Sequence, residues 1–239
     1  MSAQSRRVQT KQKKTEDGLR TRGEVTREAL MRAVEKLVSS KGFAGVSIRD
    51  IVLEAGQKNE SALQYHFGNM HGLLSALHKT RDAEIQALRR KMLSDLEHNS
   101  KNPLLRDICK LMVQPTFELA QTRADFRRYI KAFGHEVTLT DENALVLMRR
   151  KGGETVPLIG NLLRKSISHL DEAAFQRRVD GALRYISASM YHEARRANAF
   201  RGPEAQLFFS SLIDGLEGLL GAPESVETKS LISEMKTES

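Results

Sequence analysis

The chain has too few cysteines to form an internal disulfide bond and no apolar run long enough to cross a bilayer. It contains one cysteine, Cys109, and no tryptophan, so tryptophan fluorescence cannot report on ligand binding. A lone thiol cannot form a disulfide within its own chain, which favours a reducing compartment. No apolar run reaches the roughly 18 residues that a membrane-spanning helix needs, and residues 1–14 lack the apolar core of a secretory signal. We therefore expect a cytoplasmic protein.

The sequence also lacks the common motifs of catalytic and metal sites. It has no glycine-rich loop of the Walker or dinucleotide-binding type, and His192-Glu193 lacks the second histidine of a zinc-protease helix. The histidines do not cluster in sequence; His71 and His78 could meet a metal, but solvated histidines on helix faces are commoner. Cys109 has no Cys-x-x-Cys partner and is expected to be a buried, inert thiol. We expect no enzyme activity, no metal and no cofactor.

Basic residues are concentrated towards the N-terminus. The formal net charge is +8, and residues 1–98 hold 18 Lys and Arg against 12 Asp and Glu, whereas the rest of the chain holds 20 against 18. A basic segment of this kind can meet nucleic acid, an anionic membrane or no partner at all. Residues 1–20 lack apolar periodicity and are expected to form a disordered basic arm.

The remaining pattern predicts an all-α protein. Apolar residues recur at three- and four-residue spacing, and no segment alternates convincingly between apolar and polar residues. The first helix is expected to begin at Thr26 and to stop at Gly42. Later helices are expected over residues 102–121, 124–138, 142–150, 156–169, 171–199 and 203–220, with a kink at Pro115 in the first of these.

Two short helices joined by a polar turn form the most informative segment. Ser47 is a good N-cap with an acid three residues later, and Ala55-Gly56 ends the helix that it begins. A third helix follows over residues 60–67. Two short helices around a tight turn are typical of a helix-turn-helix, in which the second helix enters the major groove of DNA. An ordinary helical hairpin with a polar turn would give the same pattern.

This segment resembles the N-terminal motif of the TetR family of transcriptional regulators. The stretch VSIRDIVLEAGQKNESALQYHFGNMHGLL (residues 46–74) has a Ser-capped helix ending in Ala-Gly, then a helix closing on His-Phe, then Leu-Leu. The resemblance covers about residues 22–75. It departs from the family in having five residues rather than four between Ala-Gly and the small residue Ala62. Gln64 stands where the family's first tyrosine is usual, and Met70 where Lys is common.

The resemblance and the chemistry of the polar groups together select candidate DNA contacts. Amide, hydroxyl and cationic groups can bind base edges or phosphates. Residues expected to contact bases are Lys58, Asn59 and Ser61. Those expected to contact the DNA backbone are Ser47, Gln64, Tyr65 and His66, with Arg20 and Arg22 as contacts from the arm.

The resemblance further implies a second helical domain that dimerises through its last two long helices and encloses a small-molecule site. The stripes expected at the dimer interface are Phe175, Val179, Leu183 and Ile186 on one helix and Leu207, Leu212, Ile213, Leu216 and Leu219 on the other. Burial in an internal core would produce the same stripes. A dimer is favoured because a helix-turn-helix usually contacts two half-sites.

Candidate ligand contacts are apolar or weakly polar residues of this second domain. They are Cys109, Met112, Val113, Phe117, Tyr129, Phe133, Met148, Tyr185 and Met190. For each one, ordinary core packing is the alternative.

The sequence therefore predicts four segments: a basic arm (1–20), a helix-turn-helix DNA-binding domain (21–68), a larger helical domain for effector binding and dimerisation (69–222) and a flexible tail (223–239). The expected function is that of a homodimeric, sequence-specific transcriptional regulator, by family analogy a repressor, whose partners are an operator in double-stranded DNA and a small, largely apolar effector. One alternative is an architectural or nucleoid-associated DNA-binding protein without an effector. The other is a helical enzyme or lipid carrier. The sequence indicates no membrane partner.

Overall fold

A computed structural model of the chain describes residues 21–100, 102–151 and 153–237. Within these residues the chain is α-helical, apart from one short 3-10 helix, and it contains no strand, which confirms the all-α class. It divides into two compact units between Leu77 and His78, here termed the N-terminal and the C-terminal unit. No helix in the described part of the chain is long and apolar enough to span a membrane. The predicted arm and Arg20 lie outside the described residues.

Among its described residues, from 21 onwards, the N-terminal unit contains three complete helices and the start of a fourth. They are α1 (Arg22–Lys41), α2 (Ile48–Glu54), α3 (Ser61–Phe67) and α4 (Met70–Asn99), with a 3-10 helix (Phe43–Gly45) after α1. α4 continues into the C-terminal unit. The apolar stripes of these helices supply a small core, whose fully or almost fully buried members are Leu30, Val34, Val38, Ile51, Val52, Leu63, Leu73 and Leu77.

α1 begins earlier than predicted. Its N-cap is Thr21, whose hydroxyl accepts a hydrogen bond from Glu24 N at 3.2 Å, while the Glu24 carboxylate accepts one from Thr21 N at 2.7 Å. This reciprocal capping box satisfies backbone donors at the start of α1. The expected cap, Thr26, therefore lies one turn inside the helix. The Thr26 hydroxyl instead donates to Arg22 O. Gly42, at φ 75°, ends the helix as predicted.

The C-terminal unit contains the rest of α4 and eight further helices among its described residues. These are α5 (Leu105–Thr122), α6 (Ala124–Phe133), α7 (Glu136–Leu139), α8 (Ala144–Lys151), α9 (Thr155–Ser166), α10 (Glu172–Ala194), α11 (Gly202–Gly221) and α12 (Val226–Thr237). One continuous core joins α4, α5, α6, α8, α9, α10 and α11.

Several boundaries in this unit differ from the prediction. α5 begins at Leu105 rather than at Asn102-Pro103, because the Asp107 carboxylate accepts a hydrogen bond from Leu104 N and so caps the helix there. The single helix expected over residues 124–138 is broken after Phe133 into α6 and α7. Residues expected to form a flexible tail include α12, at whose start the Ser225 hydroxyl accepts from Thr228 N at 3.1 Å.

α10 ends at Ala194, five residues before the predicted end, and is followed by a turn that leads to the buried residues Ala199 and Phe200. Phe200 in this turn has φ 59° and is 1% exposed. Its backbone N–H donates to the buried Glu193 carboxylate at 3.1 Å, and the other oxygen of that carboxylate pairs with Arg196 at 3.2 Å. A left-handed conformation is costly for a bulky residue. The Glu193 hydrogen bond and the aromatic packing of Phe200 against Phe117 and Phe208 hold it in place.

Candidate nucleic-acid interface and internal cavity

Short-range hydrogen bonds define the α2–turn–α3 segment. The Ser47 hydroxyl accepts from Asp50 N at 3.1 Å, and the Asp50 carboxylate accepts from Ser47 N at 3.0 Å, which is the capping box that the sequence predicts. Hydrogen bonds from the hydroxyl and the backbone of Ser47 lower the pKa of Asp50. Gly56, at φ 69°, provides the left-handed position that turns the chain after α2. The observed arrangement is a helix-turn-helix.

α3 is fixed on one side by contacts with α1. Leu63 is 2% exposed and faces the core. The Arg27 guanidinium donates to His66 O at 3.1 Å and lies 4.5 Å from the centre of the Phe67 ring. Arg27 therefore holds the end of α3 through a hydrogen bond and a cation–π contact. Sequence reasoning missed this role, because a charged residue on the polar side of α1 looks like any solvated side chain.

The opposite side of α3 is polar and open to solvent. Tyr65 is 86% exposed, and the other exposed residues among the predicted contacts here are Lys58, Asn59, Ser61 and Gln64. These residues are exposed together on α3 and on the turn before it, and α3 is held from behind, which is the geometry that groove binding requires. His66 is half-buried, and its ring lies edge-on to Tyr65 with 5.0 Å between ring centres. Arg22 is exposed at the start of α1.

Two of the predicted contacts already have hydrogen-bond partners within the chain. The Ser47 hydroxyl donates to Asp50 Oδ2 at 2.7 Å. Asn59 Oδ1 accepts from Ser61 N at 3.0 Å, and thereby caps the first turn of α3. The Asn59 amide NH₂ stays available to a base or phosphate acceptor.

The described surface of the N-terminal unit is nearly neutral. Residues 21–77 hold seven Lys and Arg against six Asp and Glu, whereas residues 1–20 hold six against two. Most of the N-terminal basic excess thus belongs to the first 20 residues. Any general attraction to phosphate depends on that segment more than on α3.

The C-terminal unit contains a partly open cavity of about 300 Å³. Its apolar wall consists of Ile85, Met112, Val113, Ile130, Phe133, Val137, Leu145, Met148, Val156, Ile159, Leu163, Val179, Leu183, Ile186 and Met190. Its polar side chains are Asp82, Arg89, Thr116, Tyr129, Glu136 and Ser187. An apolar cavity with a few polar groups is typical of small-molecule sites.

Arg89 lies in the cavity wall because of a proline on the next helix. Pro115 has no N–H, so Leu111 O four residues earlier lacks its helical donor. Arg89 Nε donates to this carbonyl at 3.0 Å, and its Nη2 reaches Met112 O at 3.5 Å. Burial lowers the pKa of Arg89 to about 10, a shift that the charge of Asp82 opposes. The guanidinium therefore stays charged at neutral pH.

A second polar group at the cavity involves His78. Its Nδ1 lies 2.9 Å from the Tyr129 hydroxyl, and its Nε2 lies 3.4 Å from Glu136 Oε1. The His78 ring also meets Phe133 edge-on, with 5.1 Å between ring centres. Among the described residues, no group of three or more His, Cys, Asp or Glu side chains is arranged to hold a metal ion.

The structure separates the predicted ligand contacts into two sets. Those around the cavity are Met112, Val113, Tyr129, Phe133, Met148 and Met190. Cys109, Phe117 and Tyr185 do not line it. Cys109 is fully buried, and burial raises the pKa of its thiol to about 12, so it stays protonated. Phe117 packs against Phe209, with 4.7 Å between ring centres. Tyr185 is 37% exposed.

The predicted dimer interface needs a larger correction. Five of its nine residues are already at most 4% exposed in the single chain: Phe175, Val179, Leu212, Ile213 and Leu216. Val179, Leu183 and Ile186 line the cavity. Leu219 is half-buried, and Leu207 is 69% exposed. These stripes belong mainly to the core and the cavity wall, so apart from Leu207 they do not form an exposed apolar face.

Sequence reasoning also missed much of the cavity wall. Val156, Ile159 and Leu163 recur on α9 at helical spacing, which was the available signal, but that spacing does not tell a cavity wall from packed core. Arg89 gave a weaker signal, since charged residues alternate with apolar ones along the whole of α4.

Comparisons with known proteins give structural likeness only. No family model matches the chain, and no curated protein matches it. A TetR family transcription regulator from Marinobacter aquaeolei VT8 is similar with 16% sequence identity and a TM-score of 0.49, over 82% of this chain and 97% of that one. A TetR-family transcriptional regulator from Pectobacterium atrosepticum is similar with 22% identity and a TM-score of 0.48, over 86% and 100%. The function proposed below therefore rests on the residues of this chain.

Proposed function

We propose that this chain is a sequence-specific, DNA-binding transcriptional regulator of the TetR type. The observation that carries the proposal is α3, a short helix held from behind by Leu63 and Arg27 with its polar side exposed. A helix with exposed amide and phenolic groups, preceded by a turn with an exposed lysine, suits the major groove, whose edges present a distinct donor and acceptor pattern for each base pair. An ordinary hairpin has no need of an 86% exposed tyrosine.

We further infer that the cavity holds an effector and that the effector changes operator affinity. Helix α4 supplies Asp82, Ile85 and Arg89 to the cavity wall, and it begins three residues after α3 ends. Ligand binding shifts DNA affinity only if the ligand prefers one of two conformations. Release of a repressor is the form of regulation that we propose.

A homodimer completes the proposal. A single α3 contacts too few bases to select one site, and a dimer that binds two half-sites doubles that number. Its interface must use surfaces other than the buried stripes of α10 and α11. The exposed Leu207 on α11 is a candidate member.

Selection from a random pool of duplex DNA tests the proposal. Purified full-length protein at near-physiological salt is expected to enrich a palindrome with half-sites centred about 34–36 Å apart. Enrichment of one unpaired half-site would reject the dimer. Binding without enrichment that fades as salt rises would leave only phosphate contacts and would favour the architectural alternative. No binding at all would favour the enzyme or carrier alternative.

A further inference from the structure

The cavity wall contains one buried cation in mostly apolar surroundings. Arg89 is 7% exposed, and it shares the wall with aliphatic, thioether and aromatic side chains. Burying a charge is costly unless it is paired and hydrogen-bonded. The charge of Arg89 therefore requires an explanation.

The described residues provide Arg89 with carbonyl partners but with no carboxylate in direct contact. Its hydrogen bonds go to Leu111 O and Met112 O. No carboxylate of the described residues lies within 4.0 Å of its guanidinium, although Asp82, seven residues earlier on α4, acts on it at longer range. Pro115 explains why Arg89 Nε has a carbonyl to bind. It does not explain why the residue is an arginine, because the two carbonyls accept from only two of the five N–H donors of the guanidinium.

The two carboxylates at the cavity are differently placed. Glu136 pairs with His78, and its side chain is 47% exposed, so water screens its charge. Asp82 accepts a hydrogen bond from Gln86 Nε2 at 3.2 Å. Both acids are partly open to solvent, whereas Arg89 is the buried charge of the wall and has no carboxylate within 4.0 Å among the described residues.

The rest of the wall determines what else the ligand must offer. Met112, Phe133, Met148 and Ile159 form an apolar surface, and the volume of about 300 Å³ is at the small end for ligand sites. Flexible thioethers adapt to chains of varied shape. A small molecule with an extended apolar body and one anionic end matches these features.

We propose that the cavity binds an apolar monocarboxylate, with its carboxylate on the Arg89 guanidinium and its hydrocarbon part among the apolar side chains. Guanidinium and carboxylate groups form paired, charge-assisted hydrogen bonds, which are the strong ones in an apolar setting. As the identity of the effector, this inference rests on the proposed function. The binding is a separate property that needs no DNA.

The first experiment compares four probes of equal chain length by calorimetric titration of the full-length protein without DNA. The probes are decanoate, decanamide, 1-decanol and decylamine, each kept below its aggregation limit. Decanoate is expected to bind about 10- to 100-fold more tightly than the alcohol, because hydrogen bonds to charged groups are stronger than neutral ones. Equal binding of acid and alcohol, tighter binding of the amine, or no binding of the acid would overturn the proposal.

Variants of the protein locate the carboxylate and the hydrocarbon part of the bound ligand. R89M is expected to lower decanoate affinity to that of 1-decanol while leaving 1-decanol binding unchanged, and R89K is expected to keep most of the preference for the acid. If R89M does not fold, the probe comparison in R89K and in the native protein decides. G160L, at a cavity glycine whose added Cβ meets no atom within 4 Å, should weaken both probes. Undiminished decanoate binding in G160L or R89M would place the acid elsewhere.

Decanoate is then added to the protein bound to its selected DNA site. A change in DNA affinity that R89M abolishes would support both the ligand and its regulatory role. Decanoate binding with unchanged DNA affinity would reject the role of effector but not the cavity's preference for acids. Failure of the DNA selection would reject the proposed function alone.

Discussion

Replacing Lys58 and Tyr65 together by alanine is expected to lower the affinity for the selected DNA site about 100-fold. Both side chains are exposed beside or on α3, Tyr65 by 86%. Loss of one base contact and one phosphate contact, each about 1–2 kcal/mol, gives an effect of this size. Electrophoretic mobility shift titration at fixed salt measures it.

A matched control separates the loss of DNA contacts from a general loss of positive charge, and a stability measurement excludes unfolding as the cause. Lys165→Ala removes an equally exposed lysine from α9 in the other unit and should leave DNA affinity within twofold. The double variant should unfold at a temperature close to that of the native protein, because exposed substitutions alter stability by about 0.5 kcal/mol or less each. An unchanged DNA affinity in the double variant would refute the role given to α3.

Glu193→Ala is expected to destabilise the C-terminal unit by about 3 kcal/mol. Glu193 is 3% exposed, and its carboxylate is the acceptor for the N–H of Phe200, a residue that is itself 1% exposed. Its loss leaves a buried donor without a partner and relaxes the turn that keeps Phe200 in a left-handed conformation. Urea unfolding followed by circular dichroism measures the change.

Two controls test whether the buried hydrogen bond is the cause. Glu193→Gln keeps an acceptor oxygen for Phe200 N and should cost about 1 kcal/mol. Glu204→Ala removes the other carboxylate that pairs with Arg196, at 2.8 Å, but it is 73% exposed and should cost less than about 0.5 kcal/mol. If Glu204→Ala and Glu193→Ala lose similar amounts of unfolding free energy, the Arg196 ion pairs are the cause instead.

Local interactions made much of the N-terminal unit predictable. The caps and stops at Ser47, Gly42, Gly56 and Gly68 depend on contacts within four residues or on backbone angles that favour glycine, and sequence records both directly. α1 still began earlier than expected. Thr21 and Thr26 have the same side chain, but only Thr21 has an acid three residues later, and that difference decides which of them caps the helix.

Long-range packing limited the prediction of the C-terminal unit. The apolar stripe of α10 was recognised, but a stripe does not indicate which neighbour covers it. Val179, Leu183 and Ile186, which were expected at a dimer interface, line the cavity. Arg89 has its position because Pro115, 26 residues later, leaves Leu111 O without a helical donor. No local pattern encodes that pairing.

The central claim is that α3 reads base pairs, and a specificity profile tests it most directly. The affinities of native, Lys58→Ala and Tyr65→Ala proteins are measured against every single base-pair variant of the selected site. We predict that Lys58→Ala loses discrimination at one or two adjacent positions in each half-site, while Tyr65→Ala weakens binding to all variants evenly. If Lys58→Ala keeps native discrimination at every position, or only weakens binding to all variants evenly, base contact by this residue in the turn before α3 is contradicted.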